Sequence, residues 1–253
     1  MYAKLAAVLC LALMAFSGMN RKTRVYLIGD STCANKEVRA YPETGWGMPF
    51  AYLFDSTVEV DNRARNGRST RTFISEGLWQ PVADALQEGD YVFIQFGHND
   101  GSKEKTDRYT TPEQYTANLR RFVAETRGKG GIPVLLTPVS RRKFDSAGNA
   151  METHAEYAPL VRNVARDLGV PLIDADEKTK ALYQQFGPET SKLLFLQLEK
   201  GEHPNYPDGK TDNTHFSELG ARKVAQIILQ ELRTLNLGLA RHIRKPAEPK
   251  KIN

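Results

Sequence analysis

Only two cysteines occur in the 253 residues, Cys10 and Cys33, and Cys10 lies inside an apolar leader. A chain cut after that leader keeps one thiol, which excludes an intrachain disulfide and leaves stability to core packing. Long hydrophobic runs are also missing. The one candidate, Leu5 to Phe16, follows Lys4 and precedes Ser17 and Gly18. At about a dozen residues it is shorter than the about 20 a membrane helix needs, and its pattern is that of a secretory signal peptide. We expect residues 1–20 to be removed, leaving no stable membrane association and a secreted or periplasmic protein. Export without disulfides fits a bacterium.

Histidine is sparse as well. None of His98, His154, His203, His215 and His242 stands at metal-ligand spacing from another histidine or a cysteine, so neither a metal nor another cofactor is expected. Basic residues outnumber acidic ones, 35 to 30, which is compatible with an acidic substrate. They are scattered rather than interleaved with aromatics, so a nucleic-acid partner is excluded. No repeat or low-complexity linker divides the chain, which predicts one catalytic domain over residues 21–240. From Arg241 onward, Pro246 and Pro249 sit among basic residues, and a frayed or extended tail is expected over residues 241–253.

Short apolar runs alternate with longer helical patterns, the mark of βαβ units and a parallel sheet. Strands are expected at Arg24 to Ile28, Val58 to Asn62, Tyr91 to Phe96, Ile132 to Thr137 and Val170 to Ile173. Helices are expected at Trp46 to Phe54, Arg71 to Leu86, Thr111 to Arg127, Thr153 to Leu168 and Ser217 to Leu235. Thr111-Pro112 and Ser217-Glu218 supply helix-start signals.

Gly29-Asp30-Ser31-Thr32 follows the first strand, which puts Ser31 at a carboxyl strand end, where open α/β sheets bind ligands. If a helix starts there, its free N–H groups favour the charge that develops on attack. A serine hydroxyl needs a base. His215, three residues after Asp212 and just before the final helix, has a spacing at which a short loop lets the carboxylate orient the imidazole toward a serine across the sheet end. Asn66-Gly67-Arg68-Ser69 and Gly97-His98-Asn99-Asp100 follow two further strands at the same edge. Glycine amides and the Asn99 side chain there can donate to an oxyanion.

These four blocks together resemble the SGNH or GDSL hydrolases. Among them the Asn-Gly-Arg-Ser and Gly-His-Asn-Asp blocks, and threonine after the serine, are most similar to rhamnogalacturonan acetylesterases. The resemblance implies a three-layer α/β/α sandwich with a five-stranded parallel sheet, flavodoxin-like in topology. It also implies a Ser31–His215–Asp212 triad without cofactor, oxyanion donors from Ser31, Gly67 and Asn99, and an acetylated polysaccharide as substrate. The expected substrate contacts are Arg68, His98, His154 and Tyr109. Arg71, Arg141 and Arg142 are further candidates for a uronate carboxylate, and Trp46 for stacking on a sugar. Cys33 reads as a small packed residue. A lipase or thioesterase acting on longer chains is the rival within the family, but no long apolar lid segment is present. A non-catalytic glycan-binding module has no need of the complete set of blocks.

Overall fold

The computed structural model describes residues 21–245. The expected leader, residues 1–20, and the end of the expected tail, residues 246–253, lie outside them. Five apolar segments form a parallel sheet: β1 (Thr23–Gly29), β2 (Val58–Asn62), β3 (Tyr91–Gln95), β4 (Ile132–Leu136) and β5 (Leu172–Ile173). Their spatial order is β2-β1-β3-β4-β5. The ladder fixes the register, with Val25 opposite Val60 on one side and Tyr91 on the other. The inner strands β1, β3 and β4 match the expected ranges because strands covered on both faces read as near-continuous apolar runs, and the edge strand β2 matches through its alternating Val58 and Val60.

Among the described residues seven helices cover the sheet: α1 (Gly47–Phe50), α2 (Thr70–Ser75), α3 (Gln80–Ala85), α4 (Pro112–Gly128), α5 (Tyr157–Leu168), α6 (Ala175–Thr190) and α7 (Glu218–Thr234). Side chains alternate along each strand, so β1 sends Val25 and Leu27 to one face and Tyr26 and Ile28 to the other. The first pair packs with Phe50 of α1, Tyr183 of α6 and Val224 and Ile228 of α7. The second packs with Phe73 of α2, Phe122 of α4 and Val161 of α5. Phe122 is the hub of that second core, touching Trp79, Phe96 and Phe73 with ring centroids 4.9, 5.9 and 6.4 Å away. Truncating such a ring to alanine costs about 3–5 kcal/mol. The result is the three-layer α/β/α sandwich, doubly wound, with its switch point between β1 and β3.

Several elements depart from the sequence reading. The single helix expected over Arg71 to Leu86 is two, because Gly77 takes φ 70°, a left-handed turn that no helix continues through. Trp46 to Phe54 shortens to α1 and a 3-10 turn. The helix expected from Thr153 starts at Tyr157, since the Thr153 hydroxyl accepts from the Arg141 amide at 2.9 Å and is held in the preceding turn. Helix α6, capped by Asp174, was not anticipated. Neither was a small antiparallel sheet of β6 (Phe195–Leu198) and β7 (Lys210–Phe216). The tail is not frayed at its start: Ile243 is buried, and the Arg244 amide donates to the Leu53 carbonyl at 2.9 Å. No helix among the described residues is long and apolar enough to cross a membrane.

Candidate active site

Ser31 lies two residues beyond the end of β1. The close β1–β3 contact behind it requires glycine at position 29, where a Cβ would lie 2.6 Å from the Gln95 carbonyl oxygen. The segment after Ser31 is a single turn, not the helix start that was expected; the amides of Cys33 and Ala34 both donate to the Asp30 carbonyl, at 3.2 and 3.1 Å. A macrodipole contribution is therefore absent, and the local donors are individual amides. Asp30 is buried and its Oδ1 accepts from the Thr32 amide at 2.9 Å and hydroxyl at 2.8 Å, which fixes the turn.

Asp212 and His215 lie in β7 rather than in a loop. Residues three apart on a regular strand point to opposite faces. Here the two-residue step from Phe195 to Gln197 in β6 faces the five-residue step from Thr211 to Phe216, so residues 212–215 bulge outward. The Asp212 carboxylate closes the bulge, its Oδ1 accepting from the amides of Thr214 and His215 at 2.7 and 2.9 Å. Its Oδ2 lies 2.8 Å from His215 Nδ1, and His215 Nε2 lies 2.8 Å from Ser31 Oγ. Burial opposes the Asp212 charge, but the His215 ring and these two amides outweigh it and hold the carboxyl well below its usual range. Arg141 and Arg142 brace the bulge. Arg141 Nη1 donates to Thr214 Oγ1 at 2.6 Å, and Arg142 donates to Asn213 Oδ1 at 2.9 Å, to Ser191 Oγ at 3.0 Å and to the Pro188 carbonyl. All of these partners are neutral groups.

Beside Ser31, Gly67 sits at φ 75° in the turn after β2. Among the described residues neither the Ser31 nor the Gly67 amide has a hydrogen-bond acceptor. Asn99, after β3, is buried and spends one Nδ2 hydrogen on the Arg68 carbonyl at 3.0 Å, which leaves the second hydrogen of that amide. Asp100 ties the two loops together, its Oδ1 accepting from the Thr70 amide at 2.9 Å and hydroxyl at 2.6 Å. Burial pushes the Asp100 carboxyl up to about 7 against the pull of those two bonds. A folded-state value above the unfolded one, about 3.9, stabilises the fold below about pH 4, and that contribution is lost as pH rises through about 7. Asp100→Asn keeps an oxygen for Thr70, so thermal melts should fall less steeply across that window than in the wild type. A steeper fall in the variant would contradict the assignment.

The expected substrate contacts divide. Tyr109 is half-buried in the segment that follows Asn99. His98 and His154 meet edge to face, with ring centroids 4.5 Å apart, and wall a cleft of about 260 Å³ with Arg141 and Tyr157. Both His98 ring nitrogens are shielded from solvent in this wall. Burial and the neighbouring His154 lower the His98 pKa well below the usual histidine value, which keeps it neutral. Arg68 is tied to Glu76 at 2.8 Å and Arg71 to the Thr106 carbonyl at 2.7 Å. Trp46 is a core residue whose indole donates to Gln95 Oε1 at 2.6 Å, not a sugar platform. Cys33 is buried.

Three features were missed by the sequence reading. Arg108 places Nη1 3.1 Å from where a Gly67 Cβ would be, and its ion-pair partner among the described residues is its neighbour Asp107. Lys36 is buried against Ser31 and Asn66. The carboxylates of Glu152, Asp176 and Glu177 gather within 4.8 Å of one another, with Lys180 and Arg162 paired to them. Arg108 and Lys36 are lone basic residues in polar segments, where no sequence signal separates them from solvated ones.

A serine bonded to a histidine that is bonded to an aspartate, beside two open amides at a switch point, is the arrangement of a serine hydrolase. The chain belongs to the GDSL-like lipase/acylhydrolase family, whose profile matches residues 27–223, and it is an ester hydrolase. It is 44% identical over 225 residues to the rhamnogalacturonan acetylesterase RhgT of Bacillus subtilis, covering 89% of this chain and 96% of that one. It is 29% identical over 227 residues to a rhamnogalacturonan acetylesterase of Emericella nidulans, covering 81% and 83%. The crystal structure of the YxiM protein of Bacillus subtilis superposes with a TM-score of 0.74 at 25% identity, over 86% of this chain and 58% of that longer one.

Proposed function

We propose that the protein is a secreted carbohydrate esterase that removes O-acetyl groups from rhamnogalacturonan through a Ser31 acyl-enzyme. The observation that carries this reading is the continuous Ser31–His215–Asp212 hydrogen-bond chain beside the open amides of Ser31 and Gly67. Ser31 Oγ attacks the acetyl carbonyl as His215 Nε2 takes its proton. The charge on the tetrahedral oxygen is met by the amides of Ser31 and Gly67 and by the second Asn99 Nδ2 hydrogen. His215 returns the proton to the departing sugar hydroxyl, and water repeats the sequence in reverse. Asp212 holds Nδ1 protonated throughout. The leader sequence, residues 1–20, supports export to the compartment where such polymers are met.

Asn99→Ala should lower kcat by about two to three orders of magnitude, the usual effect of losing one oxyanion donor. A steady-state change under threefold would place Asn99 outside the reaction. The substrate reading rests on the named acetylesterase relatives, with Arg108 over Gly67 and the exposed Arg65, which has no ion-pair partner among the described residues, as the cations placed to meet a uronate. Acetate release should be faster on acetylated rhamnogalacturonan than on acetylated xylan, and should decline with added salt as ion pairs are screened over about 8–10 Å. Hydrolysis of p-nitrophenyl acetate should be much less salt-sensitive. Preference for xylan, or equal salt responses, would remove the pectin assignment and leave the esterase chemistry.

A further inference from the structure

Lys36 lies in the polar run Asn35-Lys36-Glu37, which reads as solvated surface. Its side chain is instead wholly buried. An ammonium has three hydrogens and no lone pair, and burying it unpaired is costly. Here each hydrogen has an acceptor: the Ser31 carbonyl at 2.6 Å, Asn66 Oδ1 at 2.9 Å and Glu43 Oε1 at 2.6 Å. Glu43 balances the charge, so the other two bonds are charge-assisted and strong.

Those two acceptors belong to different loops. Ser31 follows β1, and Asn66 precedes Gly67 in the turn after β2. The open amides of Ser31 and Gly67 must converge on one oxygen to within about 0.5 Å, yet Arg65 and Asn66 are exposed and no core packing holds them. Deeper in the sheet the loops are joined by the Arg65 amide on the Gly29 carbonyl at 3.0 Å and by Asn62 Nδ2 on the Cys33 carbonyl at 2.9 Å. Lys36 makes the connection at the residues flanking the two amides.

We propose that Lys36 is a positioning residue that clamps the nucleophile turn to the Gly67 loop and so sets the geometry of the oxyanion site. The proposal rests on Ser31 as nucleophile. Lys36 does not touch the serine hydroxyl; it acts through the Ser31 carbonyl and the Asn66 side chain. Loosening the clamp should weaken stabilisation of the tetrahedral charge while leaving ground-state binding of a small ester alone.

The test compares wild type, Lys36→Met, Asn66→Ala and the double variant with p-nitrophenyl acetate, using phenylboronic acid as a tetrahedral probe, below each variant's melting temperature. Methionine keeps most of the buried stem and removes the donors. Its kcat should fall roughly 10- to 100-fold, the scale of an ångström-sized misplacement, with KM nearly unchanged and the boronate inhibition constant rising in parallel. Asn66→Ala should show a smaller loss of the same kind, and the double variant should lose no more than Lys36→Met, since both cut one path. A folded Lys36→Met enzyme within threefold of wild-type kcat, a loss carried by KM, or additive losses would overturn the proposal. Should Lys36→Met fail to fold, Asn66→Ala decides alone: unchanged kcat and unchanged boronate affinity overturn the clamp. Ser31→Ala, run alongside, separates the two claims. An active Ser31→Ala enzyme refutes the nucleophile; an inactive one beside a wild-type-like Lys36→Met refutes only the clamp.

Discussion

Ser31→Ala should remove ester hydrolysis almost entirely, by roughly six orders of magnitude in kcat, without disturbing the fold. The substitution deletes one hydroxyl whose bond is to His215 Nε2. The turn that carries it is held by other groups, namely the Asp30 carboxylate on Thr32 and the Asp30 carbonyl on Cys33 and Ala34. Turnover of p-nitrophenyl acetate, with circular dichroism and a thermal melt on the same preparation, checks both halves. Activity within tenfold of wild type in a folded variant would mean that another group attacks the ester.

Asp212→Asn should be nearly as damaging, about four orders of magnitude in kcat. The carboxylate accepts from His215 Nδ1 at 2.8 Å and so directs the lone pair of Nε2 toward Ser31. An amide nitrogen in its place would donate to Nδ1, turn the imidazole into the other tautomer and leave Nε2 carrying a hydrogen against the serine. The substitution also has a signature in pH. The folded carboxyl titrates well below its usual range, so Asp212 contributes stability above the unfolded value of about 4 and loses it as pH falls further. The melting temperature of the wild type should therefore drop more between about pH 4 and pH 2 than that of Asp212→Asn. Equal acid profiles, or kcat within tenfold of wild type, would dissociate Asp212 from His215.

The centre of the parallel sheet was legible because β1, β3 and β4 are covered on both faces and so are mostly apolar; Tyr91 to Phe96 is plain in the sequence for that reason, while the edge strand β2, Val58 to Asn62, shows itself only by its alternating valines. Ser31, Gly67 and Asn99 were placed at one edge by the same logic, since each follows one of these strands. β7 was not legible. Its sequence, Lys210 to Phe216, is polar and carries a bulge, so the alternation that marks a strand never develops. The bulge is nonetheless what lets Asp212 and His215, three apart, meet on one side. Helix α6 was missed because its buried positions are Ala175, Asp176, Thr179 and Tyr183, too small and polar to mark an apolar stripe. The partners of the loop arginines were not legible for a different reason. A sequence shows where a cation is but not what it meets: Arg68 pairs with Glu76 at the surface, while Arg71, Arg141 and Arg142 bond to neutral groups. Lys36 is the converse case, a charge that looks solvated and is buried.

The central claim is that Ser31 is acylated in the removal of acetyl groups from rhamnogalacturonan. Diethyl p-nitrophenyl phosphate phosphorylates activated serines and mimics the tetrahedral intermediate, so it tests the claim directly when followed by peptide mass spectrometry and by acetate release from acetylated rhamnogalacturonan. We predict one adduct per chain, on the peptide containing Ser31, with acetate release lost in proportion to labelling and protected by the substrate. Inactivation without an adduct on Ser31, or full labelling of Ser31 with acetate release retained, would contradict the account.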